Sequence, residues 1–357
     1  MNLESFPTEF WHKLDDGRVQ CDVCPRHCKL NEGQRGLCFV RACENGEIVL
    51  KTYGRSSGFC IDPIEKKPLY HFYPGSPVLS FGTAGCNLFC KFCQNWDISK
   101  AKTTDRLLDQ ALPAQIARAA KDNNCQSVAY TYNDPVIFLE YAVDVAKECR
   151  ALGIKNVAVS AGYICEEPRK KFFEFMDAAN IDLKSFDDEF YKRTCGGDLQ
   201  TVLDTLLYLK NDTDIWFEIT NLIIPGENDS PSEIDAMTKW IFKNLGGEVP
   251  IHFSAFHPDY KMQDKPRTSL QTIREACSIA IRNGLKYVYA GNVHNPQNDS
   301  TFCPECGEIL IGRDWYNLSV WNLDYSKCNK CGHRLAGHFS QNPGEWGRKR
   351  QSVSIQS

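Results

Sequence analysis

Three cysteines in the middle of the chain form the pattern best suited to chemistry. Cys86, Cys90 and Cys93 have the spacing C-x3-C-x2-C, and no fourth cysteine follows closely. Three thiolates can hold three irons of a cubane 4Fe–4S cluster, which takes four thiolates when the protein ligates it fully. The fourth iron then has an open position, where a ligand can bind and a reaction can begin. Gly82 and Gly85, just before the first cysteine, suit a loop that passes close to such a cluster.

A second group of cysteines lies near the C-terminus. Cys303 and Cys306 form one C-x2-C knuckle, and Cys328 and Cys331 form another, each followed by glycine. Four thiolates in two such knuckles are typical of tetrahedral structural zinc, with a rubredoxin-like iron as the alternative. Because structural zinc sites are closed, we assign no catalysis to this group.

A third group, Cys21, Cys24, Cys28 and Cys38, lies near the N-terminus with the spacing C-x2-C-x3-C-x9-C. These four thiolates can enclose zinc or a second 4Fe–4S cluster that serves as an electron relay. The spacing favours zinc, because the first three cysteines lie close together without the usual ferredoxin spacing. His27, inside this group, is an alternative ligand.

The composition of the chain indicates a reduced, globular protein. The 357 residues carry a net charge of −4, which gives no sign of a nucleic-acid partner, and no apolar stretch approaches the roughly 20 residues needed to span a membrane. The N-terminus lacks a signal pattern, so we expect a cytoplasmic protein, in which 18 cysteines indicate metal sites rather than disulfides. Five scattered cysteines are expected to be small buried hydrophobes, namely Cys125, Cys149, Cys165, Cys195 and Cys277.

The elements that position these residues alternate between short apolar strands and helices from Val78 to Val293. This alternation predicts an α/β fold with a parallel sheet, and the region is short for a full barrel of about 250 residues, so we predict a partial, open β/α barrel. The predicted strands are Val78–Phe81, Ser127–Tyr132, Asn156–Ser160, Ala179–Lys184, Ile215–Leu222, Pro250–Phe256 and Tyr287–Ala290.

Polar residues fall where these strands end, which is where ligands gather in such folds. They include Tyr132-Asn133-Asp134, Ser160, Asp182 with Lys184, and Asn221. The alternative is that they are turn residues and helix caps. Four further candidates for a catalytic role follow the late strands, namely His252, His257, Asn292 and His294.

Residues 15 to 340 resemble the radical S-adenosylmethionine (SAM) superfamily, of which C-x3-C-x2-C is the signature. Within it, the chain is most similar to the radical SAM enzyme of the AmmeMemoRadiSam system, a branch close to the pyruvate formate-lyase activating enzymes. The segments that carry the resemblance are Cys21–Cys28, Asp62–Leu69, Cys93–Trp96, Tyr130–Pro135, Ile181–Lys184 and Ile224–Ser230.

The resemblance implies a set of SAM contacts. Phe92 is expected to pack against adenine, and Ser160 to reach the ribose or the carboxylate. Lys184 is expected to pair with the SAM carboxylate, and Asp182 to bind a hydroxyl or an amine, unless the two form a plain internal salt bridge.

The binding of the SAM amine is less defined by the resemblance. Tyr132, Asn133 and Asp134 stand where the superfamily usually carries Gly-Gly-Glu, which binds that amine. Asn133 and Asp134 are both able to take its place.

The function implied is reductive cleavage of SAM at the 4Fe–4S cluster, which gives a 5′-deoxyadenosyl radical that abstracts hydrogen from a protein or small-molecule substrate. The alternative enzyme is a glycyl-radical-enzyme activase, although residues 94–124 lack the ferredoxin cysteines that many activases carry there. A third hypothesis is an iron–sulfur and zinc scaffold without turnover. Implied partners are a reductant such as flavodoxin or ferredoxin, and proteins of the Memo and Ammecr types.

The chain is predicted to consist of four segments. Residues 1–75 form an N-terminal cysteine-rich metal-binding segment, and residues 76–298 form a partial (β/α)6-type radical SAM barrel. Residues 299–340 form a zinc ribbon, and residues 341–357 form a polar tail.

Overall fold

The structure is a computed structural model that describes residues 5–101, 107, 109–294 and 296–355. Its strands are β1 (Phe6–Pro7), β2 (Trp11–Lys13), β3 (Val19–Cys21), β4 (Lys29–Leu30), β5 (Arg41–Glu44), β6 (Glu47–Leu50), β7 (Arg55–Ser56), β8 (Phe59–Pro63), β9 (Pro77–Phe81), β10 (Asp109–Gln110), β11 (Ser127–Tyr130), β12 (Lys155–Ser160), β13 (Ala178–Asp182), β14 (Trp216–Ile223), β15 (Ile251–Ala255), β16 (Val288–Gly291), β17 (Thr301–Phe302), β18 (Ile309–Asp314), β19 (Asn317–Trp321), β20 (Leu323–Asp324), β21 (Lys327–Cys328) and β22 (Gln351–Val353). Its α-helices are α1 (Trp96–Ser99), α2 (Pro113–Asp122), α3 (Leu139–Ala151), α4 (Glu166–Phe173), α5 (Asp188–Phe190), α6 (Leu199–Asn211), α7 (Pro231–Leu245), α8 (Leu270–Arg282) and α9 (Pro296–Asp299).

A parallel sheet forms the centre of the fold. Strands β9 and β11 to β16 pair in parallel and in chain order, and a helix lies in each of the six connections between consecutive strands. The strands are short and mostly buried on both faces, as expected when helices cover a parallel sheet. The predicted α/β fold and all seven predicted strands are therefore confirmed.

Helix caps fix where several of these crossovers begin. Asp198, Ser230 and Ser269 each accept a hydrogen bond from the backbone N–H three residues further on, at the starts of α6, α7 and α8. Because each cap ends the preceding loop at a defined residue, the segments between strand ends and helices keep fixed lengths. The polar residues on those segments are thereby held at the carboxyl edge of the sheet.

Two antiparallel strands extend this sheet beyond its parallel part. β8 pairs with β9, and β22, close to the C-terminus, pairs with β8. All five residues of β8 are buried, so the N-terminal part of the chain contributes a core strand. The sheet thus includes strands from both sides of the boundary predicted at residue 75. The segment predicted as a polar tail, residues 341–357, contributes the strand at the edge of this sheet.

The C-terminal ribbon docks against the loop that joins β8 to β9. Tyr73 N–H donates to the carbonyl of His338 in the ribbon at 2.7 Å, and Gly344 N–H, in the tail that follows the ribbon, donates to the carbonyl of Pro74 at 2.9 Å. A shared hydrophobic cluster joins Tyr70, Tyr287 and Tyr289 to ribbon residues. The ribbon is therefore packed on the barrel and can contribute to its central cavity.

No helix within the described ranges is both long enough and apolar enough to cross a membrane.

Candidate active site

A cavity of about 460 Å³ opens at the carboxyl ends of the parallel strands. Its volume falls in the range of roughly 300–1,000 Å³ that is typical of small-molecule sites. Cys86, Cys90 and Cys93 line this cavity. All seven residues expected to bind SAM also line it, namely Phe92, Tyr132, Asn133, Asp134, Ser160, Asp182 and Lys184.

The loop that carries the three cysteines is shaped by Asn133. The side-chain amide of Asn133 donates to the carbonyl of Gly85 at 2.8 Å, and its oxygen accepts from Thr83 N–H at 3.0 Å. A Cβ on Gly82 would lie 2.6 Å from that same oxygen, so glycine is required there. Both ends of the Asn133 amide are thus engaged by the loop, and this geometry makes Asn133 a positioning residue for the cysteines.

Asp134 lies at the start of the next turn and is fully engaged by neighbouring donors. Its carboxylate accepts from Ser160 Oγ at 2.9 Å, from Ala161 N–H at 3.0 Å and from Val136 N–H at 3.2 Å. Burial raises its pKa, although these hydrogen bonds oppose the rise. Asp134 and Ser160 therefore form one polar unit that joins the ends of β11 and β12 at the cavity wall.

Asp182 and Lys184 form an ion pair at the end of β13, with Nζ 2.9 Å from Oδ2. Burial disfavours the Lys184 cation, but Asp182 and Cys90 outweigh this effect, so the pKa of Lys184 is raised. Nζ also lies 5.8 Å from the centre of the Phe92 ring. A fixed cation therefore stands beside a cysteine of the motif and beside the aromatic ring expected to hold adenine.

Cys195 contacts the cysteine motif from outside the cavity. A hydrogen bond from Cys195 lowers the pKa of Cys90, against the effect of burial. Phe89 N–H and Lys91 N–H donate to the carbonyls of Cys195 and Thr194, which ties the motif to the π-helical turn Tyr191–Cys195. Cys195 is buried as predicted, but its contact with Cys90 was missed, because nothing in its spacing signals a long-range contact.

A row of inward-facing residues crosses the later strands. Asp182 is in register with Thr220, and Thr220 is in register with His252; all three line the cavity. His252 Nε2 lies 2.6 Å from Glu218. Burial raises the pKa of Glu218, but His252, His71 and the backbone N–H of Tyr70 together outweigh it, so this pKa is lowered. The Glu218 carboxylate also accepts from the backbone N–H of Tyr70. His252 is thus held in one orientation against the cavity.

Of the other three residues proposed for a catalytic role at the late strands, one lines the cavity and two do not. Asn292 lines the cavity, and its side chain donates to the carbonyl of Ala255 at 3.2 Å. His257, which is half-buried, and His294, which is exposed, form no part of the cavity wall; their rings contact Gln94 and Asp314, respectively.

Two lysines that sequence reasoning did not assign to the site also line the cavity. Lys66 and Lys67 both pair with the buried carboxylate of Asp62, at 2.9 and 2.7 Å, and Tyr132 donates its hydroxyl to the same carboxylate at 3.0 Å. Burial lowers the pKa of Lys67 to about 8, against the effect of Asp62. The only signal in the sequence was the segment Asp62–Leu69, which carried the family resemblance without a role.

These residues fit an iron–sulfur cluster with one open position. Among the described residues that line the cavity, Cys86, Cys90 and Cys93 are the only cysteines, so the protein offers three thiolates for four irons. Lys184 and Phe92 lie on the same cavity and suit a ligand with a carboxylate and an aromatic ring. The arrangement can hold a cluster and a small nucleotide-like ligand side by side.

The two flanking cysteine groups form separate sites. The sulfurs of Cys303 and Cys331 lie 3.6 Å apart, those of Cys306 and Cys328 lie 3.8 Å apart, and all four lie within 4.8 Å of one another. A second cavity, of about 20 Å³, is lined by all four N-terminal cysteines, Cys21, Cys24, Cys28 and Cys38. In both groups the cysteines named from the sequence lie together, and their role as metal ligands stays a prediction.

Comparisons with known proteins bear on the same region. A family model described as the Radical SAM superfamily matches residues 81–241. An uncharacterized protein of Methanocaldococcus jannaschii is 42% identical over 328 residues, which cover 91% of this chain and 97% of that protein. The pyruvate formate-lyase-activating enzyme of Clostridium pasteurianum is 25% identical over 197 residues, which cover 50% of this chain and 80% of that enzyme.

One solved structure similar to the chain is a domain of the pyruvate-formate lyase-activating enzyme from Bacteroides vulgatus. The match has a TM-score of 0.42 at 18% identity, and it covers 46% of this chain and 99% of that one.

Proposed function

The chain belongs to the radical SAM superfamily, and we propose that its central cavity binds a 4Fe–4S cluster through Cys86, Cys90 and Cys93, with SAM beside it. The observation that carries this proposal is that the three cysteines and all seven expected SAM-binding residues line one cavity. When bound, the cluster and SAM supply a one-electron cleavage that gives methionine and a 5′-deoxyadenosyl radical, which takes a hydrogen atom from the substrate.

The residues of the chain bind and orient SAM. Lys184 supplies a fixed cation for the carboxylate, and Asp182, its ion-pair partner, can accept from an amine or a hydroxyl. The ring of Phe92, braced against Phe190 with ring centres 6.0 Å apart, offers an apolar face for adenine. Asp134 and Ser160 complete the wall, and Asn133 holds the cysteine loop in place.

The substrate side of the cavity is formed by the later strands and the ribbon. His252 lines it from β15, and Trp315 and Tyr316 line it from the turn between β18 and β19. Because these two ribbon aromatics are part of the cavity wall, we propose that the ribbon helps to select the substrate. Lys66 and Lys67 also line the cavity and share one carboxylate, Asp62, so their excess positive charge favours a substrate with a negatively charged group.

The relatives also support a second candidate function, activation of a glycyl radical enzyme. They include enzymes named as activators of pyruvate formate-lyase and of 4-hydroxyphenylacetate decarboxylase, although each covers at most about half of this chain. The two candidates differ in the product. An activase leaves a glycyl radical, with its EPR doublet, on a partner protein, whereas the leading proposal predicts a mass change in a small molecule or side chain.

We further propose a metal for the ribbon, a reductant, a cellular compartment and partner proteins. Zinc suits the ribbon, because its sulfurs are 3.6 and 3.8 Å apart and a tetrahedral zinc site with bonds of about 2.3 Å requires nearly this spacing. A flavodoxin or ferredoxin suits the need for a one-electron reductant, and the many free thiols favour the cytoplasm. Partners of the Memo and Ammecr types are proposed from the family resemblance alone.

Anaerobic reconstitution followed by reduction tests the main proposal. Wild-type protein is expected to convert SAM to 5′-deoxyadenosine, and the Cys86→Ala/Cys90→Ala/Cys93→Ala variant is expected to produce none. Cys277→Ala, at a buried cysteine of α8 away from the cavity, is the matched control and should retain the activity. Full SAM cleavage by the triple variant would overturn the proposal.

A further inference from the structure

The N-terminal cysteines surround a cavity of their own. Cys21 ends β3, Cys24 and Cys28 lie in the following turn, and Cys38 approaches from the next loop. Cys21 N–H donates to the carbonyl of Cys28 at 3.0 Å, which closes the turn around the cavity. Leu37 N–H also donates to the sulfur of Cys28 at 3.4 Å. The backbone therefore presents four thiols to one enclosed space.

The spacing of these sulfurs differs from that of the ribbon. Over the described parts of the chain, the ribbon cysteines are the one group of three or more metal-ligating residues whose ligand atoms all lie within 4.8 Å of one another. No three of the N-terminal sulfurs come within that limit of one another, and neither do the three sulfurs of Cys86, Cys90 and Cys93. A tetrahedral zinc ion needs sulfurs about 3.8 Å apart, given bonds of about 2.3 Å, whereas a cubane separates them further. The distances between the N-terminal sulfurs therefore resemble those of Cys86, Cys90 and Cys93 and not those of the ribbon.

Two arginines also line this cavity, and one of them, Arg41, is neutralised by an ion pair. Arg41 is buried beside it, held by both oxygens of Glu140 and by the carbonyl of Ile137. Arg26 lines it too, and its buried Nη2 has no hydrogen-bond partner among the described residues. Zinc and an oxidised 4Fe–4S cluster carry the same net negative charge when four thiolates bind them, so charge does not distinguish the two. The cluster alone adds sulfides, which accept hydrogen bonds. A sulfide of such a cluster would accept the hydrogen bond that the buried Nη2 of Arg26 lacks.

The two cysteine cavities are separated by a single loop. The carbonyl of Cys38 packs directly against the Cα of Gly85, with no room for a Cβ between them. Asn87, which follows Cys86, lines the N-terminal cavity, and its carbonyl accepts from Arg26 Nε at 3.1 Å. The chain from Gly85 to Asn87 therefore has the N-terminal cysteines on one side and the central motif on the other.

We infer that Cys21, Cys24, Cys28 and Cys38 hold a second 4Fe–4S cluster, placed to relay electrons to the central site. The spread of the sulfurs and the unsatisfied Nη2 of Arg26 support a cluster over zinc, which the ligand spacing in the sequence had favoured, and the shared loop supports the relay. The relay role rests on the proposed function. In it, the second cluster takes one electron from a one-electron protein donor and passes the same electron to the central cluster, with no bond made or broken.

Metal content measured after anaerobic reconstitution tests this inference without any assay of turnover. Wild-type protein is expected to hold about eight irons, and the Cys86→Ala/Cys90→Ala/Cys93→Ala variant about four. The Cys24→Ala/Cys28→Ala variant should also hold about four, and combining both sets should remove iron altogether. Cys43→Ala, at a buried cysteine of β5 that does not line this cavity, is the matched control and should match wild type.

The iron and zinc contents of the central triple variant distinguish a failure of this inference from a failure of the proposed function. If wild type cleaves SAM but the central triple variant holds no iron and an additional zinc, the N-terminal site is a zinc site and the inference fails alone. If the triple variant keeps all of the wild-type iron, the proposed function fails. The triple variant decides the question even if the N-terminal variant does not fold.

A second readout tests the proximity of the two sites. In fully reduced wild type, two paramagnetic clusters on either side of one loop should broaden each other's EPR signals. A wild-type spectrum equal to the sum of the spectra of the two single-site variants would contradict the relay.

Discussion

Gly85 shows how a single residue connects two sites in this protein. It has a φ of +81°, it receives a hydrogen bond from Asn133 on its carbonyl, and it packs on the backbone of Cys38. Each of these contacts comes from a different part of the chain. The position of Cys86, the next residue, therefore depends on the N-terminal segment as well as on the barrel.

Replacing Gly85 with alanine is expected to reduce iron in the central site. The new Cβ would overlap the carbonyl oxygen of Cys38, in addition to the cost of about 1–2 kcal/mol for an L-residue in this conformation. Gly226→Ala is the matched control, because Gly226 has a φ of +73° with nothing within 4 Å of its Cβ position. Iron and SAM cleavage should fall in Gly85→Ala and stay near wild type in Gly226→Ala. Equal effects would show that backbone strain alone, and not the contact with Cys38, matters.

Lys184 is the residue on which SAM affinity should depend most. Lys184→Met removes the cation and leaves Asp182 without its partner, so binding of the SAM carboxylate should weaken at least tenfold, or about 1.4 kcal/mol. Calorimetry or equilibrium dialysis on the reconstituted protein measures this change, with iron content as the check on folding. Lys192→Met, which removes an exposed lysine paired with Asp188, should leave the affinity unchanged. Unchanged affinity in Lys184→Met would mean that the ion pair is purely structural.

At the level of residues, the spacing in the sequence indicated candidate ligands better than it indicated the residues that hold those ligands in place. The three cysteine groups and the strand-end residues were found because metal ligands recur at short, regular intervals and because parallel strands end at one edge. The SAM contact expected of Asn133 stays a prediction, but its hold on the cysteine loop was not foreseen, and neither was the contact of Cys195 with Cys90. Such contacts join residues far apart in the chain, and no local pattern encodes them.

At the level of elements, the strands of the parallel sheet were predictable and its antiparallel edge was not. Continuous apolar runs between glycines and prolines identified all seven parallel strands. β22 has no such pattern, since two of its three residues are exposed and polar. It becomes a strand because β8 presents an unpaired edge that would otherwise be open to other chains. Tertiary pairing, rather than local preference, thus creates this element.

The role of β22 can be tested by placing a charge on either of its faces. Val353 packs against the main core, whereas Ser352 is exposed. Val353→Asp should lower the free energy of unfolding by about 1–3 kcal/mol, because it puts an unpaired carboxylate against apolar groups. Ser352→Asp should change it by less than about 0.5 kcal/mol. Denaturant titration of both variants measures the difference, and equal stabilities would mean that the edge strand contributes nothing to the core.

At the level of the whole molecule, the ribbon and the barrel share a buried polar interface. Arg313 of the ribbon donates to the carbonyl of Tyr70 at 2.8 Å, and its guanidinium lies 4.3 Å from the centre of the Tyr70 ring. Glu65, on the loop between β8 and β9, is buried near this arginine. The same loop lines the active-site cavity through Lys66 and Lys67. The ribbon therefore supports the cavity wall from behind as well as lining it.

Glu65 makes this interface sensitive to pH. Burial raises its pKa from 4.5 to about 7, despite the nearby Arg313, and its Oε2 has no hydrogen-bond partner in the described part of the chain. Between pH 4.5 and 7 the folded protein therefore holds a proton that the unfolded chain releases. By linkage, this group makes the protein less stable as pH rises through that window, and the loss persists above pH 7.

Glu65→Gln should remove this dependence, because an amide cannot ionise and its oxygen can still accept from Gly75 N–H, as Oε1 does at 2.7 Å. The difference between 4.5 and about 7 corresponds to about 3 kcal/mol, so the variant should gain up to that much relative to wild type between pH 5 and pH 8. Thermal unfolding at the two pH values measures the gain, with Glu345→Gln, at an exposed residue, as the control. A variant whose stability follows that of wild type at both pH values would mean that Glu65 is already ionised and paired at pH 5. The loop behind the cavity would then be held by a permanent ion pair with Arg313 rather than by a protonated acid.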